Sequence, residues 1–179
     1  LEPPFNAAWD PQPRREFEAT IVRVQTDEGL VGISSGDTMD GFERYEGLFV
    51  GQDPLAIARH SRTLETISFH SGRYWPLEAA LWDLAGKALG QPIATLLGGS
   101  ADRLPAYASW GSLHSPQQRS EDAVRIVEEG FRAVKIGVAP DRVDYGVAVV
   151  AAVRDAVSRR LEIMVDLNQW WRMPGDISR

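Results

Sequence analysis

The chain has 179 residues, 44% hydrophobic and 25% charged, enough apolar material for one packed core or one and a half domains, and this excludes wholesale disorder. Lys+Arg 19 against Asp+Glu 25 gives a net charge of -6, whereas a sequence-independent nucleic-acid binder needs surplus cations to displace phosphate counterions. Cysteine is absent, which excludes disulfides, thiolate metal sites and cysteine nucleophiles together, and no apolar run reaches the roughly 18 residues of a membrane span. In chain order, Leu1 to Pro13 is rich in Pro and aromatics, has no period and reads as a loop. From Phe17 to Val24 polar and apolar residues alternate as in a half-buried strand. Thr26-Asp27-Glu28-Gly29 is a turn, Leu30-Val31-Gly32-Ile33 resumes the extended run, and Ser34 to Gly41 is a second loop. Asp53 and Pro54 suit the cap and first position of a helix. The clearest helix is Pro76 to Leu89, where Leu77, Ala80, Leu81, Leu84, Ala85 and Ala88 form one stripe and Asp83 and Lys87 pair on the other side. Gly90 ends it and Pro92 prevents resumption. Leu97-Gly98-Gly99-Ser100 has no strand before it and therefore reads as a helix C-cap rather than a phosphate loop.

Beyond the linker Ser100 to Arg103 the pattern changes. Leu104 to Trp110 reads as a strand, Ser115-Pro116 opens a helix to Glu129, and Phe131 to Val138 is an apolar strand. Asp144 to Arg159 is a helix with Val147, Val150, Ala151 and Val157 on one face, followed by a strand from Leu161 to Leu167. About thirty residues per strand–helix unit predicts right-handed parallel crossovers. The expected fold class is an α+β domain over residues 1–100 followed by an α/β segment, residues 101–179. Gly111-Ser112-Leu113-His114-Ser115 lacks the G-x-G-x-x-G of a dinucleotide turn, and a (β/α) barrel needs eight units where this chain supplies about three.

Function in α/β folds sits at the carboxyl ends of strands, which points to Lys135-Ile136-Gly137 and Asp166-Leu167-Asn168-Gln169. Alternation puts Lys135 with Gly137, and Asp166 with Asn168, on one face each. An ammonium and a carboxylate at the mouths of neighbouring strands can meet there, either as a structural ion pair or as part of a site. A carboxylate suits Mg²⁺, although one alone holds it poorly. His60, His70 and His114 have no zinc spacing and read as structural or surface residues; Trp170-Trp171 suits either a pocket wall or a core. Asp27-Glu28-Gly29 is turn chemistry, not a metal site.

Three stretches resemble the mandelate racemase/muconate lactonizing enzyme group of the enolase superfamily. They are Val24 to Gly32; the helix Ala79-Ala80-Leu81-Trp82-Asp83-Leu84-Ala85-Gly86-Lys87 with its tail Gly90 to Gly99; and Met164-Val165-Asp166-Leu167-Asn168-Gln169. The resemblance implies an α+β capping domain followed by the start of a modified TIM barrel, incomplete in this chain. It also implies a Mg²⁺-dependent lyase or isomerase that removes the proton α to a carboxylate through an enediolate. Asp166 falls on the first metal ligand, Asn168 on a polar residue near metal and substrate, and Lys135 on the first lysine of a Lys-x-Lys motif whose second lysine is replaced by Gly137. The loops Phe5 to Pro13 and Ser34 to Gly41 fall where the capping domain covers the barrel mouth. The remaining ligands, the far-side base and the first capping strand are expected outside these residues, so the chain reads as a fragment, inactive by itself. With one base the expected reaction is acid-sugar dehydration; a racemase, epimerase or cycloisomerase and an inactive structural remnant are the alternatives. A small carboxylate or acid-sugar substrate, a homo-oligomer, no nucleic-acid or membrane partner and a cytoplasmic location complete the expectation.

Overall fold

The structure is a computed structural model and describes residues 1–36, 39–139 and 141–168. They form two compact units, Glu18–Asp102 on the one hand and Leu1–Phe17 with the residues from Arg103 onward on the other. Among the described residues no helix is long and apolar enough to cross a membrane.

The unit Glu18–Asp102 opens with a hairpin of β1 (Thr20–Gln25) and β2 (Val31–Gly36), antiparallel with Val24 opposite Gly32. Its turn is made as its residues dictate: Gly29 takes φ +86, and the Leu30 N–H donates to Thr26 Oγ1 at 3.0 Å. Strand β2 continues through Ser34 to Gly36, further than the expected loop allowed. The small residues there are strand positions against which a helix packs closely. A Cβ on Gly32 would lie 2.1 Å from the Ala80 carbonyl oxygen, and one on Gly36 would lie 2.4 Å from Pro76.

That helix is α2 (Trp75–Leu89), reached through a 3-10 helix, Phe42–Leu48, and α1 (Ile57–Ser68). Helix α1 starts later than Asp53-Pro54, because the Asp53 carboxylate accepts the Leu55 N–H (2.9 Å) in a local turn and Ala56 occupies the N-cap. His60 is buried and its Nε2 is hydrogen-bonded to the Asp53 carbonyl (2.8 Å), a structural role. The stripe Leu77, Ala80, Leu81, Leu84 and Ala85 is buried; Leu64, Ile67 and Tyr74 join it, with Val22 and Val24 packed against them. Each such Leu contributes about 1.5–3 kcal/mol by leaving water. Gly90 ends α2 at φ +62, and after α3 (Ile93–Leu96) Gly98 takes φ +79 while the Gly99 N–H donates to the Ala94 carbonyl, a helix C-cap. A groove of about 900 Å³ runs beside β1, bordered by Val22, Val24, Phe42 and Phe49, and the described residues place no strand on that edge.

In the other unit β3 (Ala108–Trp110), β4 (Ala133–Gly137) and β5 (Glu162–Asp166) lie side by side in sequence order and parallel, with Val134 opposite both Ala108 and Ile163. The crossovers are α4 (Pro116–Glu128) and α5 (Val143–Val157). Ser115 caps α4 in a capping box with Gln118, and Pro116 takes the first helical turn. Val134 and Ile136 point into a core with Ala123, Ile126, Val149, Val153, Val157 and Leu161. The buried face of α5 is therefore Gly146, Val149, Val153 and Val157; of the expected face Val157 is buried and Val150 packs against the core, but Ala151 is exposed and Val147 is 63% exposed. With valine and alanine all round α5, periodicity could not choose between the two faces. Strand β3 is shorter than expected, and Leu104 is exposed.

The N-terminal segment is more ordered than a loop. Phe5 and Arg14 exchange both backbone hydrogen bonds (2.8 and 2.9 Å), Arg14 pairs with Asp10 at 2.7 Å, and Ala7 bridges to Ser112. We call residues 5–14 the N-terminal hairpin.

Candidate active site

Two adjacent parallel strands, β4 and β5, define the site. Because Val134 and Ile136 turn into the helical core, Lys135 and Gly137 face the opposite side of β4. Gly137 lies in register with Asp166 on β5, two residue pairs beyond Lys135 and Met164 and so on the same face. The lysine stem spans that offset, and Lys135 Nζ meets Asp166 Oδ2 at 3.1 Å, each side chain 33% exposed. The two candidate residues from separate strands are thus brought together.

The rest of the environment fixes the carboxylate. Asp166 Oδ1 accepts the Asn168 N–H at 2.9 Å. That bond first, and the Lys135 ammonium second, hold the Asp166 carboxyl below the ordinary carboxylate range. Lys135 is shifted up, chiefly by its hydrogen bond to Asp166 and next by Tyr107, whose ring centroid lies 5.9 Å from Nζ. Asn168 departs from the expected alternation. Strand β5 ends at Asp166, and Asn168 takes φ +48, a left-handed conformation that Asn tolerates, so its backbone rather than strand geometry ties it to Asp166. Gln169 and the Trp170-Trp171 pair lie outside the described residues. Among the described residues no three His, Asp or Glu cluster as a metal cage. Asp166 can supply one hard oxygen ligand of an octahedral set.

A second charged cluster, not foreseen in the sequence, lies between β3 and α4. Arg119 is 3% exposed, binds Asp122 (3.0 Å) and Ser112 Oγ (3.1 Å), also donates to the Ser112 carbonyl, and stacks 4.6 Å over Trp110. Asp122 also receives Arg125 at 2.5 Å and stands 3.7 Å from His114 Nδ1. Burial lowers the Arg119 pKa, opposed by Asp122, and the guanidinium stays charged. The cluster fastens the loop after β3 to α4. The spacing Arg119-x-x-Asp122, one helical turn, was its readable signal.

Comparison with known proteins gives this geometry its context. Residues 3–98 match the family model described as mandelate racemase/muconate lactonizing enzyme, N-terminal domain, and residues 118–179 match the enolase C-terminal domain-like model. The chain belongs to the mandelate racemase/muconate lactonizing enzyme family. It is an α+β capping domain followed by the start of an α/β barrel. Its relatives include an N-succinyl-L-Arg/Lys racemase from Bacillus cereus (28% identical, covering 88% of this chain and 46% of that protein). A D-galactonate dehydratase from Variovorax paradoxus is 32% identical over 83% of this chain and 44% of its own length. A dipeptide epimerase structure from Enterococcus faecalis, complexed with Mg and the dipeptide L-Leu-L-Tyr, superposes with a TM-score of 0.81 at 25% identity, covering 97% of this chain and 51% of that one. The chain thus spans about half the length of these relatives, which are enzymes of the enolase superfamily.

Proposed function

We propose that the complete protein is a Mg²⁺-dependent lyase acting on a small carboxylate, and that it dehydrates an acid sugar. The observation that carries this reading is the Lys135–Asp166 pair at the carboxyl ends of adjacent parallel strands. A proton α to a carboxylate is very weakly acidic, so the enzyme must stabilise the negative charge that builds up as it leaves. Asp166 would hold Mg²⁺ as one of its oxygen ligands, and the bound ion would supply positive charge to the substrate carboxylate. Lys135 adds a fixed ammonium from the next strand, and Asn168 a polar contact beside Asp166. Gly137 offers no side chain, so on this flank β4 contributes a cation and no second base. A base contributed from elsewhere takes the α-proton, and its electron pair moves into the carboxylate. On return that pair expels the β-hydroxyl as water, using the proton just taken. The similarity to galactonate and xylonate dehydratases (32% and 34% identical) supports this outcome.

A racemase or epimerase is the second reading, favoured by the TM-scores of 0.80 and 0.81 to the N-succinyl Arg/Lys racemase and the dipeptide epimerase. Assays of the whole reading frame against D-galactonate, D-xylonate, N-succinyl-lysine and an L,L-dipeptide separate the two. Elimination to a 2-keto acid supports the first, while solvent deuterium entering the α-position without elimination overturns it. Titration calorimetry tests the metal. Asp166→Asn is expected to weaken Mg²⁺ binding by more than about 100-fold, beyond the 10–100-fold of residues that merely support a ligand, with the fold retained. Unchanged binding removes Asp166 from the ligand set. The 179 residues alone are expected to bind Mg²⁺ weakly.

A further inference from the structure

Asp40 and Gly41 form the one Asp-Gly pair in the chain. Such a pair is chemically open, because glycine has no Cβ to cover the peptide nitrogen that follows the aspartate carboxyl. Asp40 is exposed, and among the described residues its carboxylate has no hydrogen-bond or ion-pair partner. The next amide, Phe42 N–H, donates to the Met39 carbonyl (3.1 Å), whereas the Gly41 N–H has no partner among the described residues. Gly41 stands just before the 3-10 helix at φ +77, and a Cβ built on it would meet within 4 Å only Tyr74 Oη, at 3.6 Å. That hydroxyl sets the pair apart. Tyr74 is 3% exposed, with its ring edge-on to Phe42 at 5.2 Å and beside Tyr45 at 6.0 Å. Its O–H donates to the Asp40 carbonyl at 3.0 Å. A phenol held in the core is thus aimed at the main-chain carbonyl of the Asp-Gly bond.

We infer that Asp40–Gly41 is a site of spontaneous isoaspartate formation and that Tyr74 directs its outcome. The Gly41 nitrogen attacks Asp40 Cγ; its proton and the carboxyl hydroxyl leave as water, and a cyclic imide closes. Water then adds to one of the two imide carbonyls. Addition at Cγ breaks the bond from Cγ to the Gly41 nitrogen and restores aspartate. Addition at the main-chain carbonyl carbon breaks the bond from that carbon to the Gly41 nitrogen. The chain then runs on through Cγ, and the α-carboxylate is set free. One water leaves and one returns, and no other reactant is needed. In the second route negative charge builds on the Asp40 main-chain oxygen, the atom to which the Tyr74 hydroxyl donates. A donor already fixed on a developing oxyanion favours that route. The product keeps the charge of Asp40 but moves it from an exposed side chain to the atom beside Tyr74. It also lengthens the backbone by one carbon between β2 and the 3-10 helix.

The test incubates the product of the whole reading frame, folded at neutral pH or unfolded in urea, and maps the tryptic peptide Val24–Arg44. Electron-transfer fragmentation of that peptide tells isoaspartate from aspartate at each position. Asp27, exposed and followed by Glu28, lies in the same peptide and is the internal standard. Folded wild type is expected to gain isoaspartate at residue 40 several-fold faster than at Asp27. Asp40→Glu, which would have to close a larger ring, is expected to gain none. Asp40→Asn enters the same imide by loss of ammonia, so its mass gain times ring closure and its isoaspartate-to-aspartate ratio reads ring opening. With Tyr74→Phe added, the ratio is expected to fall about two- to tenfold, the worth of one neutral hydrogen bond, while ammonia loss stays within about twofold. No excess of isoaspartate at residue 40 over Asp27 in the folded protein overturns the site. An unchanged ratio on adding Tyr74→Phe overturns the directing role, whatever the rate does. Should Tyr74→Phe melt below the incubation temperature, folded Asp40→Asn is compared with its own unfolded chain. A higher ratio in the folded state then supports the role, and equal ratios overturn it.

Discussion

Asp83 shows how one side chain can serve two elements. Its carboxylate accepts the Ile33 N–H at 2.7 Å and Lys87 Nζ at 2.6 Å, while Lys87 donates onward to the Val31 carbonyl at 2.9 Å. Together the two side chains occupy the outer hydrogen-bonding edge of β2, a position that would otherwise be open to pairing by another strand. The Lys87 hydrogen bond first, and the Ile33 N–H next, hold the Asp83 carboxyl below its ordinary value. A depressed carboxyl contributes stability above its unfolded pKa and loses it as pH falls through the folded one. Asp83→Asn keeps an acceptor for Ile33 but ends the charge pair. The melting temperature of wild type is therefore expected to exceed that of the variant at neutral pH, with the difference shrinking as pH falls below the ordinary carboxylate value of about 4 and lost once the folded carboxyl is protonated too. Because the pair is exposed, the difference also shrinks in high salt. A constant offset at every pH would assign the effect to packing instead.

Helix α5 gives the sharpest test of packing at the level of an element. Val153 is fully buried and Val147 is 63% exposed, though both are valines of the same helix. Val153→Ala removes two methyl groups from the core and should cost about 2 kcal/mol in chemical denaturation, against under about 0.5 kcal/mol for Val147→Ala. Equal losses would restore the face that periodicity alone suggested. That error marks the limit of what the residues disclose. Helix α2 is legible because polar residues flank its stripe, and the start of α4 because Ser115-Pro116 and Gln118 are its cap. The order β3, β4, β5 follows from thirty-residue spacing. The meeting of Lys135 and Asp166 follows from strand alternation plus that spacing. What stayed hidden depended mostly on partners distant in sequence, Gly32 against Ala80 and Gly137 against Ala8, and in one case on a local turn, the Asn168 N–H to the Asp166 carboxylate, that replaces strand alternation.

The described residues carry two separate cores, one around Leu64, Leu77 and Leu81 and one around Val134, Val153 and Leu161. Ile67→Val in the first and Ile126→Val in the second share no partner. Each is expected to cost about 0.5–1.5 kcal/mol, and the double variant their sum within about 0.5 kcal/mol. A larger deviation in denaturant titration would show the two cores coupled. The unit that holds the candidate site is discontinuous: the N-terminal hairpin belongs to it, yet residues 18–102 intervene before its strands begin. During translation the hairpin leaves the ribosome before its seat at Gly111 and Gly137 does. At about 5–20 residues per second the delay is roughly 5–25 s. Throughout that interval Ala7, Ala8 and the seat-facing sides of Phe5 and Trp9 lack the cover that Gly111 and Gly137 give them, and the capping domain folds in between. A nascent chain stalled after residue 102 therefore presents this apolar edge to whatever chaperone waits at the tunnel exit, and synthesis through Gly137 supplies the strands that bury Ala7 and Ala8.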